Sequence, residues 1–190
     1  MTEIVLMSGS VRDGSYNSAV VATLRRIAEE RFEGVRTTVV HPAELPFYDE
    51  GMDAANGSEA VLRMRNRVAA ADILVISTPS YNGAAPGVLK NALDWLSRPY
   101  GESCLDGRIV AVASASPGPR GAVDAQPGLV EVLGHAGALV AEHPPVAVAD
   151  AGELLTADGE FAGAETLDAL ESLLRAALAA AREPVPSLAV

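Results

Sequence analysis

Apolar runs of strand length alternate with helix-period stretches along almost the whole chain. Short runs near Glu3–Ser8, Arg36–Val40, Asp72–Thr78 and Arg108–Ala113, with a shorter one near Ala138–Glu142, predict five strands. Apolar positions spaced three and four apart predict helices over Ser18–Phe32, Ser58–Ala71, Pro86–Ser97, Gln126–Ala136 and Ala164–Arg182. Strands that are apolar throughout are buried on both faces, so the alternation predicts an α/β domain with a parallel sheet between two helical layers. A first strand in the middle gives the order 2-1-3-4-5, in which ligands sit beyond the carboxyl ends of strands 1, 3 and 4. The stretch His41–Gly57 holds two prolines and four acidic residues without a clear period and reads as a surface excursion or partial lid. Residues 1–182 read as one domain, and 183–190, with Pro184 and Pro186, as a loose or partner-docked tail.

The three loops at those carboxyl ends carry the candidate chemistry. After the first strand comes Gly9-Ser10-Val11-Arg12-Asp13-Gly14-Ser15-Tyr16-Asn17. Free N–H groups of a first helical turn, the helix dipole, the Ser10, Ser15 and Asn17 side chains and the Arg12 fork together suit an anion such as phosphate. After the third strand, Pro79-Ser80-Tyr81-Asn82-Gly83 presents an aromatic ring and free backbone N–H groups, which suits a flat ligand with polar edges. After the fourth, Ser114-Ala115-Ser116-Pro117-Gly118-Pro119-Arg120-Gly121 allows close backbone approach, and Arg120 adds positive charge. Each loop alone also fits a structural role: a capped helix start, a packed Tyr81, a flexible connection. Their coincidence at one sheet edge favours a binding site.

Charge and composition narrow the chemistry. The 190 residues are 49% hydrophobic and 21% charged with a net charge of -11, which argues against nucleic-acid or anionic-membrane partners. One cysteine, Cys104, excludes an internal disulfide and suits a reducing cytoplasm, and no apolar run approaches the roughly 18 residues of a membrane span. The first loop has Ser15-Tyr16 where a P-loop needs Lys-Ser or Lys-Thr, and Gly-x-Gly-x-x-Gly is absent. His41, His135 and His143 lack metal-ligand spacing, and no Gly-x-Ser-x-Gly elbow is present. Lys90, the chain's one lysine, has Asp94 four residues on and reads as a helix-surface ion pair rather than a base. So little acid–base machinery points to an enzyme whose cofactor performs the hard step.

Gly9-Ser10-x-Arg12-x-x-Ser15-x-Asn17 resembles the phosphate-loop pattern of the NADPH-dependent FMN reductase family, flavodoxin-like three-layer α/β sandwiches that include quinone, chromate and azo-dye reductases. Pro79-x-Tyr81-Asn82-Gly83 followed by Pro86-Gly87-x-Leu89-Lys90-Asn91-Ala92-x-Asp94-Trp95 is similar to the family's second signature. The resemblance implies that Ser10, Arg12, Ser15 and Asn17 surround the FMN phosphate, with Tyr16 also a cofactor-binding residue. It implies that Pro79, Tyr81, Asn82 and Gly83 line the isoalloxazine, with Ser80 also a cofactor-binding residue, and that the loop Ser114–Gly121, through Ser114, Ser116 and Gly118, borders its pyrimidine side. The chain departs from the family at Ser80, commonly glutamate, and Ala84, commonly serine. Implied too are NADPH or NADH as hydride donor, a small-molecule electron acceptor such as a flavin or quinone, and a homodimer or homotetramer, for which Leu93, Trp95 and Leu96 offer apolar anchors. The rival readings are a flavodoxin-type electron carrier without pyridine-nucleotide turnover and a non-catalytic protein that has lost the cofactor.

Overall fold

The computed structural model describes residues 1–54 and 57–183. Six parallel strands form one sheet: β1 (Thr2–Ser8), β2 (Val35–Val40), β3 (Ile73–Thr78), β4 (Ile109–Ala115), β5 (Leu139–Val140) and β6 (Val146–Val148). Their order is β2-β1-β3-β4-β5, with β6 also on β4, so the 2-1-3-4-5 arrangement stands with one strand added. The addition corrects the expectation of a single fifth strand over Ala138–Glu142. β5 pairs with Ile109 and Val110, and β6 with Ala113, Ser114 and Ala115, so both share one edge of β4. Between them lie Pro144 and Pro145, which have no N–H to give a ladder, and the edge strand breaks there.

The helices are α1 (Tyr16–Arg31), α2 (Glu50–Ala54), α3 (Glu59–Ala69), α4 (Gly87–Leu96), α5 (Gln126–His135), α6 (Ala151–Leu154) and α7 (Ala164–Ala180). Successive strand residues alternate between two cores, as the pleat requires. Ile4, Leu6, Ile73 and Val75 pack under α1 and α7, while Val5, Met7, Leu74 and Ile76 pack under α3, α4 and α5. Leu93, Trp95 and Leu96 belong to this interior: at 2%, 1% and 0% exposure they are covered within the protomer and offer no surface anchor to a second copy. The apolar stripe Leu89, Ala92, Leu93 and Leu96 faces the sheet, and the Trp95 indole donates to the Pro46 carbonyl at 2.8 Å.

That last contact shows what becomes of the stretch His41–Gly57. It holds a 3-10 turn at Pro42–Glu44 and then α2, and it is strapped to α4. Asn91 accepts from the Tyr48 N–H at 2.7 Å and donates to the Pro46 carbonyl at 2.9 Å, Tyr48 meets Trp95 edge-on at 4.9 Å, and Arg65 pairs with Asp53 at 2.6 Å. The excursion is thus pinned along residues 46–53 rather than free as a lid; residues 55–56, and 184–190 of the tail, lie outside the described residues. No helix among the described residues is long and apolar enough to cross a membrane.

Candidate functional site

The carboxyl ends of β1, β3 and β4 enclose a groove of about 380 Å³ lined by Ser10, Arg12, Ser15, Tyr16, Asn17, Pro79, Ser80, Tyr81, Ala115, Ser116 and Pro117. A larger cleft of about 630 Å³ between α4 and α5, bordered by Leu93, Arg98, Tyr100 and His135, shares no lining residue with it. The groove is where backbone donors, hydroxyls and a guanidinium converge, so the chemistry points there despite its smaller volume.

The first loop owes its shape to hydroxyl groups. Ser15 caps α1, its Oγ accepting from the Asn17 N–H at 3.2 Å, so Tyr16 and Asn17 already belong to the first helical turn. Ser10 Oγ accepts from the Arg12 N–H at 3.4 Å. Both serines are buried, at 8% and 4% exposure, and among the described residues neither hydroxyl proton has an acceptor. Two buried O–H donors beside a helix N-terminus fit an anionic oxygen, and this is the observation that fits a phosphate to the loop. Arg12 is exposed; it donates to the Asp13 and Gly14 carbonyls, both at 3.2 Å, and lies 5.6 Å from the Tyr16 ring centroid, curled around the same loop.

Asn17 has other work. Its Oδ1 accepts from Ser77 Oγ at 2.8 Å and from the Ala115 N–H at 3.0 Å, and its Nδ2 donates to the Ala115 carbonyl at 3.1 Å. At 2% exposure it ties α1 to the ends of β3 and β4. The groove's three walls are held in register by this one amide.

The second loop is a tight turn. Tyr81 and Ala84 exchange two backbone hydrogen bonds, at 2.9 and 3.2 Å, around Asn82 (φ 55) and Gly83 (φ 80). Positive φ at both central residues is the type I′ pattern for which Asn-Gly is the preferred pair. The turn's own bonds leave the Asn82 and Gly83 N–H groups unused; these two residues stand beside the groove rather than in its lining. Tyr81 is 53% exposed at its edge, and Pro79 is buried in its wall.

In the third loop the candidates divide. Ser116 lines the groove and its Oγ accepts from the N–H of Gly118, itself outside the lining, at 3.3 Å. Ser114 lies deeper: fully buried, it donates to the Gly121 carbonyl at 2.7 Å and accepts from Gln126 at 2.8 Å, so its hydroxyl is committed inside the protein. Gly121 (φ 56) presses on β6, where a Cβ would meet backbone carbons of Ala147 and Val148 at 2.8 Å. Among the described residues, the non-glycine residues of positive φ are Asn82, on the second loop, Ala122, just after the third, and Asp150, whose N–H donates to the third at Gly118. Strained backbone gathers at this edge, as it does at binding sites.

Several residues near the groove escaped the sequence reading. The missed residues are Ser8, which accepts from Ser10 N and Ser18 Oγ, both at 3.2 Å, Ser77, which donates to Asn17, and Asp124, which accepts at 2.9 Å from the already expected Ser80 and so joins second loop to third. A hydroxyl closing a run of four apolar strand residues, as at Ser8 after Ile4–Met7 and Ser77 after Ile73–Ile76, was the available signal. Arg120 is exposed and outside the lining. Lys90 pairs with Asp94 at 2.7 Å on the far cleft. Burial pushes the Cys104 thiol up to about 11, which keeps it protonated and inert at neutral pH.

With this geometry in view, the profile of the NADPH-dependent FMN reductase family matches residues 2–153. The chain belongs to that family. It is 32% identical to an NAD(P)H-dependent FMN reductase of Pseudomonas aeruginosa over 174 residues, 92% of each chain. It is 37% identical to a quinone reductase of Pseudomonas putida over 118 residues, 62% of each chain. Among solved structures it superimposes on FerB, a flavoenzyme NAD(P)H:(acceptor) oxidoreductase from Paracoccus denitrificans, with a TM-score of 0.86 and 32% identity over 95% of this chain and 97% of that one.

Proposed function

We propose that this chain is an FMN-dependent NAD(P)H oxidoreductase that passes electrons to a flavin, a quinone or a similar small acceptor, as a homodimer or homotetramer in the cytoplasm. The observation that carries the reading is the pair of buried hydroxyls at Ser10 and Ser15, protons uncommitted among the described residues, in a groove whose other walls are Pro79–Tyr81 and Ala115–Pro117. Family membership supports it, and so do relatives named as FMN and quinone reductases.

The groove residues divide the work. Ser10, Ser15, the Tyr16 and Ser18 N–H groups of the first α1 turn and Arg12 hold the phosphate. Pro79, Ser80 and Tyr81 form the wall against the ring, and the Asn82 and Gly83 N–H groups donate to its polar edge. Ser116 and Gly118 border the pyrimidine side. FMN, when bound, supplies the two-electron chemistry, accepting hydride from NADPH or NADH and reducing the acceptor. Fixed donors near the ring stabilise the charge it gains without reorganising.

The test is a visible spectrum of the purified protein loaded with FMN, taken without air before and after NADPH or NADH. Bound flavin whose band bleaches with the nucleotide and returns on adding a quinone supports the reading. Bound flavin that no pyridine nucleotide reduces indicates a carrier, and a protein that ignores FMN sinks the assignment.

A further inference from the structure

On the rim of the groove, on the side built by the second and third loops, the Asp124 carboxylate holds Ser80 at 2.9 Å. Asp124 lies on the 3-10 turn Val123–Ala125 that leads into α5, and it is exposed. Among the described residues no lysine, arginine or histidine is within ion-pair distance of it. Ser80 itself lines the groove, so this carboxylate, with no ion-pair partner among the described residues, stands one hydrogen bond from the groove. The other flank is the first loop, which carries Arg12 and the phosphate donors. The charges on the rim are therefore mixed and local: exposed Asp13 follows Arg12 on one flank and exposed Arg120 shares the other with Asp124, so the feature that singles out Asp124 is its hydrogen bond to a lining residue.

Resting on the reading above, we propose that Asp124, positioned by Ser80, is a specificity-determining residue that selects uncharged or cationic acceptors over anionic ones. The physical basis is Coulombic. A carboxylate and an anionic substituent several ångströms apart at a wet protein surface repel by an amount corresponding to about a threefold change in equilibrium or rate. The chain's net charge of -11 adds a diffuse repulsion that any surface carboxylate shares, so the local effect must be separated from the global one.

The experiment uses the full chain loaded with FMN and two probes of similar shape, 1,4-naphthoquinone and its 2-sulfonate. Two quantities are read: the sulfonate-to-neutral ratio of kcat/KM, and the ratio of dissociation constants for the oxidised protein with no electron donor present, from the shift in the flavin spectrum. In Asp124→Asn both ratios move about threefold in favour of the sulfonate, and the gain fades towards 1 M salt, where screening acts over roughly 3 Å. Asp124→Glu, which keeps the charge, holds the wild-type ratios. Asp158→Asn, the same charge change at an exposed turn elsewhere, leaves them unmoved. Ratios unchanged in Asp124→Asn, or moved equally by Asp158→Asn, overturn the inference while neutral-quinone reduction keeps the proposed function intact. A wild type that reduces neither quinone and whose bound flavin neither NADPH nor NADH bleaches overturns both.

Discussion

In the first loop, polar groups are buried and bonded to one another: Ser8 to Ser10 and Ser18, Ser15 to the helix it caps. Asn17 adds bonds to β3 and β4. In the second and third loops, buried Ser114 apart, polar groups such as Asn82, Arg120 and Asp124 stand at the surface, shape comes from backbone turns at Asn82, Gly83 and Ala122, and one carboxylate, Asp124, bridges the two. The first arrangement is stiff, and in the proposed function it serves as the anchor of an invariant phosphate. The second exposes its donors to whatever approaches, and small changes there alter which acceptor is taken while the cofactor stays bound. Affinity and selectivity are therefore assigned to opposite flanks of one groove.

The sharpest way to break this division is Asn17→Ala. The change orphans the Ala115 N–H and carbonyl and the Ser77 hydroxyl in the interior, which costs about 2–4 kcal/mol and lowers Tm by roughly 5–15 °C. Calorimetry checks it, and FMN binding is expected to weaken with it because the walls lose register. A variant as stable as the wild type would show that the first loop stands without its tie to the sheet.

Arg12→Ala separates anchoring from folding. The guanidinium is exposed and bonds only to carbonyls of its own loop, so Tm holds, while FMN affinity falls by about 1–3 kcal/mol as charge-assisted bonds to phosphate are lost. Titration of the apoprotein with FMN measures it; undiminished affinity would remove Arg12 from the phosphate site. Gly83→Ala works on the other flank. Nothing lies within 4 Å of the added Cβ, so the penalty is that of holding alanine at φ 80, about 1–2 kcal/mol, and it falls on turn geometry. Hydride transfer should slow while FMN affinity stays near wild type, and the reverse pattern would exchange the roles assigned to the two flanks.

How much of this was legible in the sequence follows from how far apart the interacting residues lie. The first loop is contiguous, so its hydroxyls, arginine and helix start could be read directly, and the Asn-Gly turn announces itself in two residues. Asn17 was visible as a polar residue in the right place, but its partners Ser77 and Ala115 are 60 and 98 positions away, and no local pattern reveals a bond across that distance. The strap escaped for the same reason, since Pro46 meets Asn91 and Trp95 only after folding. Periodicity showed that α4 is amphipathic and not what covers its apolar side. Leu93, Trp95 and Leu96 accordingly read as subunit anchors when the sheet and the strap had already buried them. The proline pair at 144–145 hid β6 by interrupting an otherwise ordinary edge strand.

The smallest effect belongs to a residue that composition makes conspicuous. Lys90 is the chain's one lysine, yet its Nζ sits 2.7 Å from Asp94 on an exposed helix face, outside the groove's lining. An ion pair of this spacing contributes about 0.2–0.5 kcal/mol, reduced by salt. Lys90→Ala should shift Tm by no more than a degree or two and leave both FMN affinity and NAD(P)H turnover at wild-type values. A large fall in turnover would place a proton-transfer role outside the groove and contradict the inference that the groove needs only to hold, orient and electrically bias what it binds.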